Sequence, residues 1–228
     1  MEMEMKAIRG SIALVVLVLV SAPMLRAQDV SKYRNFSLGM TVADLAKRVD
    51  ANPADAAVIY EHPALIQELT WWPPQPYDSS HPAEPVEQIR FSFYNGALYR
   101  MLVSYDASAV EGLTNEDMIR AVSAEYGTFT RPVAEVSFPT DPLYGTSEKV
   151  IARWENSLDS VDLFRSSSSN AFGLVLFSKQ ADAQAGASIA DSLKLEQNEA
   201  PQKEAARAKK QADDLEADRQ KNIKTIHP

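Results

Sequence analysis

Cysteine is absent from all 228 residues, and glycine and histidine are scarce. Without cysteine the chain has no disulfide framework, and it cannot carry a lipid on an N-terminal cysteine. Eight glycines provide no phosphate-binding loop. The fold must therefore be stabilised by its apolar core, which is feasible for the roughly 170 residues that precede the C-terminal tail.

The three histidines, His62, His81 and His227, show no spacing that would bring two imidazoles to one site. No G-x-S-x-G motif marks a serine nucleophile, and the serines at 166–169 are typical of a loop. We therefore predict no catalytic residue, no metal site and no cofactor.

Acidic residues are densest at Glu155, Asp159 and Asp162, which lie on a predicted hairpin. A carboxylate pair serves glycosidases, and such acids can bind calcium, but the glycine and spacing of a calcium loop are missing. We interpret the three as solvated acids at strand ends and turns. A hydrolase or small-ligand site built from the 73–85 and 128–147 loops remains the alternative.

The N-terminus has the three parts of a secretory signal peptide. Lys6 and Arg9 precede an unbroken apolar run, Ile12–Val20, and Leu25 and Ala27 suit a cleavage site after residue 27. A membrane anchor is the alternative, but a spanning helix needs roughly 20 apolar residues. We predict an exported protein, periplasmic or secreted, with 1–27 removed and no membrane span in the mature chain.

The mature chain is acidic. The whole chain carries −8, and residues 1–27 hold two acidic and three basic side chains, so residues 28–228 carry −9. No basic stripe is available to neutralise phosphates, which argues against nucleic acid and anionic membranes as partners.

Periodicity predicts an α+β fold in which a helix and three strands occur twice. Thr41 caps a first helix, a second short helix is predicted from Pro53 to Val58, and Leu65–Trp72 is an apolar stretch. Asn95-Gly96 is a strong hairpin signal between Val86–Tyr94 and Ala97–Tyr105.

The second pass begins at Thr114, and its helix ends at Gly127. Strands follow at Val150–Trp154, Val161–Arg165 and Phe172–Phe177. The two αβββ passes predict one antiparallel sheet of about six strands, with helices on one face. The predicted units are 28–110 and 111–180.

Residues 181–228 form a predicted C-terminal extension. An alanine-rich helix covers 180–197, and Pro201 suits the start of another helix. Residues 196–224 hold seven acidic and seven basic side chains, typical of a solvated helix or of disorder.

The segment from Tyr33 to Leu45 contains Gly39-Met40-Thr41 before a helix and resembles the SmpA/OmlA-type (BamE-like) outer-membrane assembly domains. The doubled pattern is similar to the tandem β-lactamase-inhibitor proteins. Gly112 and Thr114 repeat the glycine and the cap, with Leu113 in place of the methionine. The mature sequence also resembles uncharacterised secreted bacterial proteins. The resemblances to the assembly domains and to the inhibitor proteins imply protein binding without catalysis or cofactor.

Aromatic residues supply the predicted binding surface. Both alternations of the Asn-Gly hairpin are apolar, so one sheet face is either covered by the C-terminal helices or exposed as an interaction site. The resulting hypothesis is a non-enzymatic protein-binding module whose partner is another envelope or secreted protein. The candidate contacts are Trp71, Trp72, Tyr99, Met101 and Tyr105.

Overall fold

A computed structural model describes residues 29–74, 84–138 and 147–225. The predicted signal peptide, His81, His227 and, within the two long loops, residues 75–83 and 139–146 lie outside the described residues. The strands are β1 Lys32–Tyr33, β2 Phe36–Ser37, β3 Ala57–Tyr60, β4 Ile66–Trp71, β5 Val86–Tyr94, β6 Ala97–Tyr105, β7 Glu135–Ser137, β8 Ser147–Glu155, β9 Asp159–Arg165 and β10 Phe172–Ser178. The helices are α1 Val42–Arg48, α2 Asn115–Tyr126 and α3 Lys179–Thr225.

The predicted α+β class is confirmed, with one antiparallel sheet in the order β3-β4-β5-β6-β10-β9-β8-β7 and a separate β1–β2 pair. Each half is a helix followed by a four-strand meander, and the last strands of the two meanders pair at the centre. The sheet has eight strands rather than about six. The additional strands, β3 and β7, are short edge strands with no clear apolar alternation.

Local sequence signals determine several element ends as predicted. The Thr41 and Thr114 side chains accept hydrogen bonds from the Asp44 and Asp117 backbone N–H groups. Asn95 and Gly96 both have positive φ, as the tight turn between β5 and β6 requires. The predicted helix from Pro53 is instead a single 3-10 turn, Pro53–Asp55, followed by β3.

The main core lies between the sheet and the helices α1 and α2. Leu45 of α1 and Ile119 of α2 pack with the sheet residues Phe91, Met101 and Trp154, which are fully buried. At about 25 cal/mol per Å² of apolar surface, this burial is the main favourable contribution to a fold without disulfides.

The opposite face of the sheet is covered in part by α3. Ala185 and Ile189 of this helix pack on Ile66 and Tyr99. Of the two alternatives that the sequence left open for this face, coverage by the C-terminal helix is the one observed, because the start of α3 returns across β6. None of the helices within the described ranges has the length and apolar content needed to cross a membrane.

Helix α3 is continuous from Lys179 to Thr225, with Pro201 inside it rather than at the start of a second helix. Every residue from Leu193 to Thr225 is exposed. At 1.5 Å per residue, this exposed segment, here called the α3 arm, is roughly 50 Å long.

Candidate ligand-binding cavity

A cavity of about 410 Å³ lies between α2, the end of β6 and the β1–β2 pair. Most of its wall is apolar and comes from Val110, Leu113, Met118, Val122 and Leu174. Ligand pockets typically measure 300–1,000 Å³ and combine apolar walls with a few polar groups. This cavity has both properties, and we refer to it as the tyrosine cavity.

The uncharged polar side chains among the described lining residues are three tyrosines, Tyr33, Tyr105 and Tyr126. The Tyr126 hydroxyl donates to the Lys32 backbone oxygen at 2.7 Å, which holds β1 against α2. The hydroxyls of Tyr105 and Tyr33 are also hydrogen-bonded to each other. The three rings come from β1, β6 and α2, so the fold brings together residues that are distant in sequence.

All three phenols are held in the neutral form. Burial raises the pKa of Tyr33, and it raises the pKa of Tyr126 to well above the ordinary value of 10.0. Burial also raises the pKa of Tyr105, and the neighbouring Tyr33 adds to this increase. Below pH 10 these groups therefore act as hydrogen-bonding groups and not as bases or nucleophiles.

An ion pair lies at the rim of the cavity. The Arg34 guanidinium donates to both oxygens of the Glu84 carboxylate, at 3.2 and 2.7 Å. Burial raises the pKa of Glu84, but the hydrogen bonds from Arg34 and from the Val86 N–H outweigh it, and the pKa lies below its ordinary value. Arg34 lies in the turn between β1 and β2 and has positive φ. The pair connects this turn to Glu84, two residues before β5.

Two other cavities have more polar walls. One of about 420 Å³ lies beside the start of α3 and includes Asp159 and Ser178. The other, of about 370 Å³, lies between α3 and the β3–β4 turn and includes Glu61, Glu196 and Glu199. Their composition fits hydrated surface grooves, so the tyrosine cavity is the stronger candidate.

The five predicted contact residues do not share one surface. Trp71 packs edge-on against Phe36, with ring centroids 5.6 Å apart, on the face covered by α1 and α2. Tyr99 lies beneath α3 on the opposite face, and Met101 has no exposed surface. Among the described aromatic residues only Trp72 is exposed, at 63 %.

A bulge in β6 separates Tyr99 from Met101. Phe93 pairs with Leu98, but Ser92 pairs with Arg100, so Tyr99 is an extra residue in the ladder. The bulge reverses the alternation, and Leu98 and Met101 therefore face the same core. Tyr105, further along β6, reaches the tyrosine cavity and is the predicted residue that the structure places in the candidate site.

The three acids considered for chemistry have different environments. Glu155 pairs with Lys179 at 2.5 Å, and burial raises the pKa of Asp159. Asp162 was predicted to be solvated, but it is 1 % exposed. It accepts two 2.6 Å hydrogen bonds from Arg153 across the β8–β9 pair, and this pairing makes its burial possible.

Other predicted polar residues are also separate from the cavity. His62 is exposed in the turn before β4. Within the described ranges, no cluster of three or more histidine, aspartate or glutamate residues could hold a metal ion. Of the 73–85 loop, Glu84 is at the rim and Pro85 lines the cavity, whereas 75–83 is outside the described residues.

Sequence reasoning did not identify Tyr33 and Tyr126 as site residues. In the sequence, Tyr33 only begins the segment that resembles the SmpA/OmlA-type domains, and Tyr126 only precedes the glycine that ends the predicted helix of the second pass. Their hydroxyls converge only through the packing of β1 on α2. Comparison with protein-family models, with curated proteins and with solved structures finds no match for this chain.

Proposed function

We propose that this chain is a non-enzymatic binding protein that holds a small, mainly apolar ligand in the tyrosine cavity. The observation that carries the proposal is a cavity of about 410 Å³ with apolar walls and three protonated phenols. The signal-peptide pattern supports the further proposal that the protein acts after export, in the periplasm or as a secreted protein.

The electrostatics of the cavity favour binding over catalysis. General bases and nucleophiles require a pKa near the working pH or a lowered one, and the pKa values of these phenols are raised. The rim carboxylate Glu84 is engaged by Arg34 and by the Val86 N–H. Groups that are neutral, buried and fixed by neighbours can orient a ligand by hydrogen bonding.

The test uses the uncharged fluorescent probe N-phenyl-1-naphthylamine with the full chain. Ala121 is exposed on α2 and lines the cavity, so an Ala121→Trp substitution should place an indole in it. Ala124→Trp is the matched control, because Ala124 is exposed on the same helix and is not among the lining residues. We expect saturable 1:1 binding to the wild type and to Ala124→Trp, and at least tenfold weaker binding to Ala121→Trp. Absence of saturable binding to the wild type, or equal binding by all three proteins, would overturn the proposal.

A second candidate function, protein binding, is favoured by the exposed α3 arm. The arm holds the exposed apolar residues Leu195, Leu215 and Ile223 among its charges. An envelope or secreted protein is the proposed partner, and the contact would involve the arm rather than the covered aromatic residues of the sheet. Cross-linked affinity purification should recover a stoichiometric partner with the full chain and lose it with a chain ending at Ser192. Equal recovery with both chains would exclude the arm as the contact.

A further inference from the structure

The charges and hydrogen bonds around the tyrosine cavity restrict the chemistry of its ligand. We infer that the ligand is an uncharged amphiphile, with an apolar body and one hydroxyl, carbonyl or ether oxygen as its head. This inference rests on the proposed ligand-binding function and narrows it to one chemical class.

The apolar body follows from the wall of the cavity. Met118 and Val122 of α2 face Leu174 of β10, and Val110 and Leu113 come from the segment between β6 and α2. Transfer of methylene groups from water to such a wall is favourable. The wall therefore suits a ligand whose body is an alkyl chain or an apolar ring system.

An anionic head is disfavoured because the cation at the cavity is already neutralised. Arg34 is the one cation among the described lining residues, and both Glu84 oxygens accept its hydrogen bonds. The remaining charged lining residue, Glu125, is an acid. A ligand carboxylate or phosphate would lose its hydration without gaining a partner of opposite charge.

A cationic head is disfavoured by the position of Arg34. Its guanidinium carbon lies 5.4 Å from the centroid of the Tyr33 ring, within the range of a cation–π contact. Arg34 therefore already occupies the face of the Tyr33 ring that could otherwise attract a ligand cation. A ligand ammonium would therefore lose its hydration without gaining the face of the Tyr33 ring, and the Glu125 carboxylate is exposed to solvent.

The head group is expected to accept a hydrogen bond from Tyr33. The Tyr126 hydroxyl donates to the Lys32 backbone oxygen, and the Tyr33 and Tyr105 hydroxyls are hydrogen-bonded to each other. A bond between two hydroxyls uses one of their two protons. One phenolic proton of this pair is therefore left for a ligand oxygen, and we assign it to Tyr33.

The test compares three probes with the same tail and different heads at pH 7: 1-octanol, octanoate and octylammonium. The full chain is labelled with ¹³C at the methionine methyl groups, and the Met118 signal is assigned with Met118→Leu. Met118 lines the cavity, whereas Met101 is fully buried in the core and serves as an internal control. We expect 1-octanol to shift the Met118 signal saturably, with at least tenfold tighter binding than either charged probe.

Two variants test the role of the Tyr33 hydroxyl. Tyr33→Phe should weaken 1-octanol binding several-fold and reduce its preference over octanoate. Tyr99→Phe, beneath α3 and away from this cavity, should bind 1-octanol like the wild type. If octanoate or octylammonium binds as tightly as 1-octanol, the inference about the head is wrong while the ligand-binding function stands. If none of the three probes shifts Met118, the proposed function itself fails.

Discussion

The Asp182 carboxylate accepts a 2.8 Å hydrogen bond from Arg100 and so joins the first turn of α3 to the middle of the sheet. The second terminal nitrogen of Arg100 donates to the Ser137 backbone oxygen at 2.6 Å. One guanidinium therefore connects β6, the edge strand β7 and α3. Both side chains of the ion pair are less than a third exposed, so solvent screens the pair less than a surface pair.

Replacing Asp182 with alanine should destabilise the protein, because it leaves the half-buried Arg100 without its carboxylate partner. Hydrogen bonds to charged groups contribute about 1.5–3 kcal/mol, and we expect the free energy of unfolding to fall by about that amount. Urea denaturation measures the change. Asp191→Ala is the control, since its ion pair with Lys194 is exposed and should contribute less than about 1 kcal/mol. Equal losses for the two variants would contradict the assigned role of Arg100.

Replacing Gly173 with alanine should destabilise the core on the face of the sheet opposite α1 and α2. A Cβ atom at this position would lie 2.3 Å from the Cζ atom of Phe164, whose ring is fully buried. Overpacking of this kind costs about 1–3 kcal/mol. Gly186→Ala, where a Cβ meets nothing within 4 Å in helix α3, should instead stabilise by up to about 1 kcal/mol. Thermal unfolding of the two variants should show Tm changes of opposite sign, and a lower Tm for both would refute the steric argument.

Trp154→Phe should weaken the contact between β8 and the end of α2. The Trp154 Nε1–H donates to the Gly127 backbone oxygen at 3.1 Å and to the Ser123 hydroxyl at 3.2 Å. Phenylalanine removes this donor and leaves unfilled volume in a fully buried position, so we expect a loss of about 2–4 kcal/mol. Equilibrium denaturation measures it. A loss below about 1 kcal/mol would mean that the indole N–H contributes little to docking α2.

Alkaline pH should destabilise the protein through its buried tyrosines. Burial raises the pKa of Tyr105 well above 10.0, so ionisation favours the unfolded chain. The corresponding stability is fully present below pH 10 and is lost as the pH rises above it, at about 1.4 kcal/mol per pH unit and ionising group. We expect the difference in free energy of unfolding between the wild type and Tyr105→Phe to be constant below pH 10 and to shrink above it. A difference independent of pH up to 11 would exclude Tyr105 as a contributor.

Local signals were sufficient to predict the caps at Thr41 and Thr114 and the hairpin around Asn95-Gly96, because each depends on a few adjacent residues. The bulge at Tyr99 was not predictable, since a two-residue period assumes an uninterrupted ladder. It moved Met101 from the predicted surface into the core. The packing of α3 on Tyr99 depends on contacts between residues more than 80 positions apart in the chain.

The tyrosine cavity was hidden from sequence reasoning for a related reason. Tyr33, Tyr105 and Tyr126 show no spacing that indicates a shared site, and only Tyr105 was among the predicted contact residues. Only the packing of β1 against α2 brings their hydroxyls together. A search of the sequence for histidines, serine motifs and acidic residues does not select neutral tyrosine side chains.

The exposed α3 arm has a consequence for how unfolding is observed. Residues beyond Ser192 bury no side chain, so melting of this part of the helix is not coupled to the loss of the core. Far-UV circular dichroism, which is dominated by helix, should report fraying of the arm at temperatures below those at which the core unfolds. Near-UV circular dichroism of Trp154 and Trp71 should report a later, sharper transition. Two-state analysis of the helical signal alone would then underestimate the stability of the sheet.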